Sequence, residues 1–346
     1  MKRIIFPILF SLACSITTNL PDPTAAPQIT VAPTSVAQTP GAASPTQVAQ
    51  PTRPSLPHGS SQPPLTRSTL QGSSQPPLAG TQQPPLAATL TNGTNYSVTN
   101  PTSGVKLFVR VYSPVRSALS PVLVLVPGGK GDSNDFRNDP NDLTGAGFVV
   151  VTFDPDGRGQ SAGTEDNNGS IHQDGLAAVI RFAATLVNVD KNKIGVATYS
   201  YGITMGSGVL ARYPDLPVKF LIDWEGPANR NDTGGCTTPK SGHLQGVYAC
   251  TDEAAWSQRE AVSFIGKLKI PYQRIQSEKD HAQPDAHHAV TMINAALAAG
   301  GVPLIKLNDT KITQKIDLKS LPPLISESQE RLRGQLVAKY AQELLK

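Results

Sequence analysis

From residue 105 to residue 308 the chain alternates short apolar runs with stretches of helical length, and this alternation limits the fold more than any other feature. Residues 105–112 are rich in β-branched and aromatic side chains and read as a strand. Six apolar runs follow, at 122–126, 148–153, 194–198, 220–224, 272–275 and 304–307. Helical patterns lie near 173–187, 201–213, 254–266 and 285–299. A last one, over 326–345, sets Leu332, Leu336, Val337, Tyr340 and Leu344 on one face. Continuous apolar strands alternating with helices specify an α/β fold, with a mostly parallel central sheet covered on both faces. Such sheets bind ligands at the carboxyl ends of their strands, so the chemistry is to be sought in the loops after each run.

The first 90 residues are of another kind. They hold 16 of the 31 prolines but only five charged residues, namely Lys2, Arg3, Asp22, Arg53 and Arg67. The sequence running from Gly59 to Leu65 returns from Gly72 to Leu78, and Gln83-Pro84-Pro85-Leu86 is a shorter third copy. A Pro/Thr/Gln-rich segment of this composition buries too little apolar surface to offset its ordering entropy, so residues 15–91 read as a disordered linker, either a spacer or a tolerated tail. The folded domain is expected over 92–346. Outside the first 90 residues, 26 basic residues face 25 acidic ones, which lacks the electrostatic footprint of nucleic-acid binding.

Lys2 and Arg3 precede an apolar stretch of about ten residues, too short to span a bilayer. Residues 1–14 therefore read as an export signal. Ser11-Leu12-Ala13-Cys14 resembles the lipidation site of bacterial lipoproteins, which would anchor the chain to a membrane through Cys14; cleavage and release is the other reading. Cys236 and Cys250 then remain, and an even pair in an oxidising compartment implies a disulfide, with two free thiols as the alternative. That bridge would close a loop of about 15 residues, worth ~3 kcal/mol in the chain-entropy view. A metal site there is disfavoured, since His243 is the loop's sole histidine.

Two serines compete as nucleophile. Gly159-Gln160-Ser161-Ala162-Gly163 matches G-x-S-x-G literally; Thr198-Tyr199-Ser200-Tyr201-Gly202 matches loosely. A nucleophile elbow needs a strand before the serine and a helix straight after it. Ser200 has both, whereas Ser161 runs into a loop.

The order of parts resembles the α/β-hydrolases, particularly the dienelactone-hydrolase-like and prolyl-peptidase-like branches. Pro127-Gly128-Gly129-Lys130-Gly131 is similar to the family's oxyanion loop. The segment from Asp154 to Ser161 is similar to its Asp-x-Arg-Gly-x-Gly-x-Ser turn. Ser277-Glu278-Lys279-Asp280 with Pro284 is similar to its acid-bearing loop. The resemblance implies an acyl-enzyme on Ser200, an oxyanion hole from the backbone N–H groups of Tyr201 and Gly129 (or Lys130), and Asp280 as acid.

One part departs from the pattern. The family's histidine follows the last parallel strand, and no histidine lies beyond His288. His281 is the preferred base, from its place on a loop at the carboxyl end of the sheet. Adjacent Asp280 and His281 are poorly placed to pair, so Glu225 or Asp223, after the neighbouring strand, are alternative acids. Asp280 could instead pair with His287 or His288. His58, in the linker, is excluded, and His172, His243 and Lys130 are weaker candidates. Residues 226–269, between the runs at 220–224 and 272–275 that correspond to the related family's strands six and seven, read as a small cap in which Trp256, with nearby Trp224, lines a pocket or simply packs. No organic cofactor is implied, since neither a P-loop nor a dinucleotide fingerprint is present. The expectation is an exported serine hydrolase cleaving a small ester, or else a peptide; the rival is a catalytically inactive binding protein of the same fold.

Overall fold

The computed structural model describes residues 93–115, 118–236, 244 and 246–346; the expected export signal, linker, Cys14, His58 and His243 lie outside them. Nine strands form one sheet: β1 (Thr94–Thr99), β2 (Lys106–Tyr112), β3 (Ser120–Val126), β4 (Val149–Phe153), β5 (Val189–Tyr199), β6 (Val218–Trp224), β7 (Tyr272–Ile275), β8 (Ile305–Leu307) and β9 (Thr310–Lys311). The helices are α1 (Asp139–Gly145), α2 (Ser170–Ala183), α3 (Gly202–Arg212), α4 (Glu253–Trp256), α5 (Val262–Ile265), α6 (His287–Ala298), α7 (Glu327–Glu330) and α8 (Arg333–Leu344).

The strand order is β1-β2-β4-β3-β5-β6-β7-β8-β9. The run from β4 to β8 is parallel, and antiparallel strands flank it. The expected α/β architecture is present. Its apolar runs are continuous because both faces are covered. In β3, Val122, Val124 and Val126 join the core under α2, α3 and α6, with Leu176, Val209 and Ile293. Leu123 and Leu125 point the other way and meet Leu143 of α1 with Val337 and Tyr340 of α8.

The sequence reading missed β1, β9 and α1. β1 is polar and mostly exposed at the edge of the sheet, so it carries no apolar period. The helix expected over 254–266 is two short turns, because the chain between them swings Arg259 inward to pair with Asp166 at 2.5 Å. The one expected over 326–345 breaks between Glu330 and Arg333.

Strands β6 and β7 are cross-linked at their carboxyl ends by a fully buried ion pair. Arg274 Nη1 donates to Asp223 Oδ2 at 2.6 Å and to the carbonyl of Gly226 at 2.8 Å. The Tyr272 hydroxyl and the Gly226 N–H also donate to Asp223, at 2.7 and 2.9 Å. Removing one partner leaves an uncompensated buried charge. Arg274→Met is therefore expected to destabilise the fold by about 3–5 kcal/mol, read as a lowered urea midpoint.

Candidate active site

Ser200 stands between the end of β5 and the start of α3 at φ +48°, a left-handed conformation whose strain is of order 1–3 kcal/mol for a residue with a Cβ. Its N–H donates to the carbonyl of Trp224 at 2.8 Å and its carbonyl accepts from Ile203 N–H at 3.1 Å, so strand and helix hold the turn. The loop after β3 lies hard against it. A Cβ at Gly128 would come within 2.7 Å of the Tyr199 carbonyl, and one at Gly202 within 2.6 Å of the Pro127 carbonyl. Only glycine permits this approach at either position. Gly129 follows at φ +48° and faces open space.

His281 closes the arrangement. Its Nε2 lies 2.9 Å from Ser200 Oγ and its Nδ1 lies 2.9 Å from Glu225 Oε2. With Nδ1 protonated, the ring donates to the carboxylate and accepts the Ser200 hydroxyl proton. Glu225 is buried directly after β6, and its other oxygen accepts the N–H of Ser277 at 2.9 Å and the Ser277 hydroxyl. Three residues from the ends of three adjacent parallel strands thus form one hydrogen-bonded chain. The Glu225 hydrogen bond raises His281 above the usual imidazole value, outweighing partial burial.

The other expected residues are placed as follows. Asp280, expected as the acid, lies 3.7 Å from His281 Nδ1 and is engaged elsewhere: Glu225 holds the closer position. Its carboxylate accepts the N–H groups of Ala282 and Gln283, both at 2.8 Å, and Gln276 Nε2 at 2.8 Å, and it pairs with His288 Nε2 at 3.0 Å. Although burial opposes it, these donors hold Asp280 well below the usual carboxylate range. The alternative pairing of Asp280 with His288 is thus present, with His288 fully buried, while Asp223, an alternative acid, is committed to Arg274 and Glu225, the other, holds His281. Ser161 is structural: its hydroxyl donates to the Asp154 carbonyl at 2.6 Å and accepts Phe108 N–H at 2.9 Å, sealing the Gly-rich turn. His172 is buried and accepts Asn168 N–H at Nδ1, 3.1 Å away. Lys130 is exposed. At the end of β8, where the related pattern places its histidine, buried Asn308 donates to the Gln276 and Pro323 carbonyls, each at 3.0 Å. Ligand atoms of Glu225, Asp280 and His281 fall within 4.8 Å of one another, a metal-like spacing, but the hydrogen bond between His281 and Glu225 already occupies two of them.

Ser200 and His281 open on a cavity of about 790 Å³ lined also by Gly128, Gly129, Tyr199, Trp224, Glu330 and Arg333. Among the described residues of 226–269, none lines it. That segment carries the Cys236–Cys250 disulfide and packs instead on the turn before α2. Trp256 is buried with Tyr201 and Leu244 rather than facing the cavity. Trp224 does line it, and so do the C-terminal helices, which the sequence pattern gave no reason to place there.

The strand order and the elbow define an α/β-hydrolase fold, and comparison with known proteins agrees. Residues 103–261 match the model of the X-Pro dipeptidyl-peptidase (S15) family. Among solved structures, an esterase of Pyrococcus furiosus is 13% identical with a TM-score of 0.55, covering 74% of this chain and 92% of that one. The 2,6-dihydroxy-pseudo-oxynicotine hydrolase is 15% identical with a TM-score of 0.54, covering 73% and 68%. A putative dipeptidyl aminopeptidase IV of Bacteroides ovatus is 17% identical with a TM-score of 0.54; the match covers 73% of this chain but 35% of that one. No curated protein sequence matches. The chain has the α/β-hydrolase fold, and the family match over residues 103–261 supports a hydrolase of esterase or peptidase type.

If His281 serves as base it must be neutral to accept a proton, and reactivity at Ser200 should then fall as pH drops through the raised His281 value. Glu225→Gln removes the group that raises it. The acid limb of kcat/KM should then move to lower pH while the plateau falls by about 10²–10⁴-fold, measured on an activated ester.

Proposed function

We propose that the chain is an exported serine hydrolase that cleaves a small ester through an acyl-enzyme on Ser200. The observation that carries this reading is the continuous chain from Ser200 Oγ through His281 to Glu225, each link 2.9 Å. Ser200 Oγ attacks the substrate carbonyl carbon as its proton passes to His281 Nε2, and a tetrahedral oxyanion forms. The backbone N–H groups of Tyr201 and Gly129 stabilise that charge. Collapse of the intermediate breaks the bond to the leaving alkoxide, which takes the proton from His281. Water then repeats the sequence on the acyl-enzyme and frees the acid. Glu225 keeps the Nδ1–H tautomer and balances the transient imidazolium. The chemistry draws on side chains and backbone alone and calls on no cofactor.

Cleavage of a peptide is the second reading, favoured by the match to the X-Pro dipeptidyl-peptidase family over residues 103–261. The inactive binding protein, suggested by the absence of a histidine after the last parallel strand, is less favoured because His281 lies 2.9 Å from Ser200 Oγ. Export is supported by Lys2, Arg3 and the apolar stretch after them, and by the disulfide, which suits an oxidising compartment. Cys14 is the proposed point of lipid anchoring.

The test is covalent labelling of the full chain with a fluorophosphonate, followed by mass mapping, alongside hydrolysis of p-nitrophenyl esters and dipeptidyl p-nitroanilides. The adduct is expected on Ser200, lost in Ser200→Ala and retained in Ser161→Ala. His281→Ala should cost about as much as Ser200→Ala, on the order of 10³-fold or more, because members of one catalytic unit are non-additive. Labelling of Ser161, or full turnover in Ser200→Ala, would overturn the assignment. A preference for the anilide over the ester would select the peptidase reading.

A further inference from the structure

We propose that His287, as an imidazolium, is a positioning residue that holds the base-bearing loop in register with Glu225. This rests on the reading of Ser200, His281 and Glu225 as the reacting set. The His281 side chain is 40% exposed, and among the described residues its ring nitrogens hydrogen-bond to Ser200 and Glu225, with Asp280 3.7 Å from Nδ1. Little packing fixes it, so its place depends on how the loop from β7 to α6 is tied down. At one end the ties are Ser277 on Glu225 and Asp280 on Gln276 and His288. At the other it is His287, the first residue of α6.

His287 Nε2 lies 2.7 Å from Asp232 Oδ1, and its Nδ1 lies 2.7 Å from Asp285 Oδ1. A neutral imidazole carries one ring proton, so it can donate to only one of these carboxylates; both bonds exist together only in the charged form. Asp232 belongs to the segment that begins at Glu225, and its side chain is almost fully buried. Its second oxygen accepts the N–H groups of Ala228 and Asn229, at 2.9 and 3.1 Å. Gln283 adds a parallel strap, donating from Nε2 to the Asp232 carbonyl at 2.6 Å. The titratable groups facing His287 are therefore Asp232 across the gap, Asp285 in its own turn, and the buried ring of His288, 6.0 Å away and itself paired with Asp280. Burial lowers His287, but the two carboxylates outweigh it and raise it above the ordinary imidazole value. The clamp is thus complete on the acid side of that value and half-released as pH rises through it. His281 has the opposite need, since it acts as base only when neutral. Reactivity should rise through the titration of His281 and fall through that of His287.

The experiment follows the rate of fluorophosphonate labelling at Ser200 against pH for the full chain and its variants. The wild type is expected to give a bell. His287→Gln should be slower at the optimum by on the order of tenfold to a hundredfold, the scale of a misplaced catalytic group, and should lose the alkaline fall. His287→Lys, which stays charged, should recover part of the rate and move the fall to higher pH. With p-nitrophenyl acetate the loss should appear in kcat rather than KM, because His287 does not line the cavity. A His287→Gln variant with the wild-type rate and alkaline limb would overturn the proposal. Should that variant not fold, Asp285→Asn at a half-exposed position serves instead, and the alkaline limb should move to lower pH. A readout independent of chemistry is amide hydrogen exchange over 277–286 as the His287 ring titrates in NMR. Falling protection is expected; unchanged protection overturns the clamp even if Ser200 proves unreactive. A wild type that never labels at Ser200 while its loop loosens as His287 titrates would overturn the functional reading and leave the clamp standing.

Discussion

Two hydrogen bonds at the carboxyl edge of the sheet underlie the whole site. The N–H of Ser200 donates to the Trp224 carbonyl, and the N–H of Glu225 donates to the Ile275 carbonyl. Each residue steps out of its strand at positive φ, yet each stays bonded to the next strand over. The parallel register of β5, β6 and β7 therefore sets the spacing of serine, acid and base before any side chain is considered. The buried pair of Arg274 and Asp223 reinforces the join where the acid and the base loop depart.

On the proposed reading the arrangement is the usual logic of a hydroxyl activated by an oriented imidazole, built one strand earlier than the related pattern implies. The acid follows β6 and the base follows β7. Asn308, at the end of β8, does only structural work, tying the Gln276 backbone to Pro323. Asp280 sits where the family places its acid. Here it organises the loop by accepting from two backbone N–H groups and Gln276 and pairing with His288.

The fold was legible because the sheet is buried on both faces, which makes each parallel strand a compact apolar run between helical patterns. Elements without that burial, such as polar β1 at the edge, left no such trace. Ser200 could be told from Ser161 by what flanks it, since the elbow is a local structure. His281 was reachable by asking which histidine lies on a loop at the right end of the sheet. The choice between Asp280 and Glu225 was not local. It turns on which carboxylate points at Nδ1, and that depends on Ser277 capturing one oxygen of Glu225 and on His288 and Gln276 drawing Asp280 away. The cavity wall formed by Glu330 and Arg333 was equally hidden, because α8 reads only as an amphipathic helix.

That wall separates two tasks along the chain. Every member of the hydrogen-bonded chain lies at or before His281, whereas Glu330 and Arg333, which shape one side of the cavity, come after the sheet is finished. A substitution at Arg333 would therefore recontour the cavity at a position outside the Ser200–His281–Glu225 chain, whereas one at Glu330 would also change the charge felt by His281. The tail of the domain thus divides by face: Val337 and Tyr340 are bound into the core, while Glu330 and Arg333 present the cavity wall.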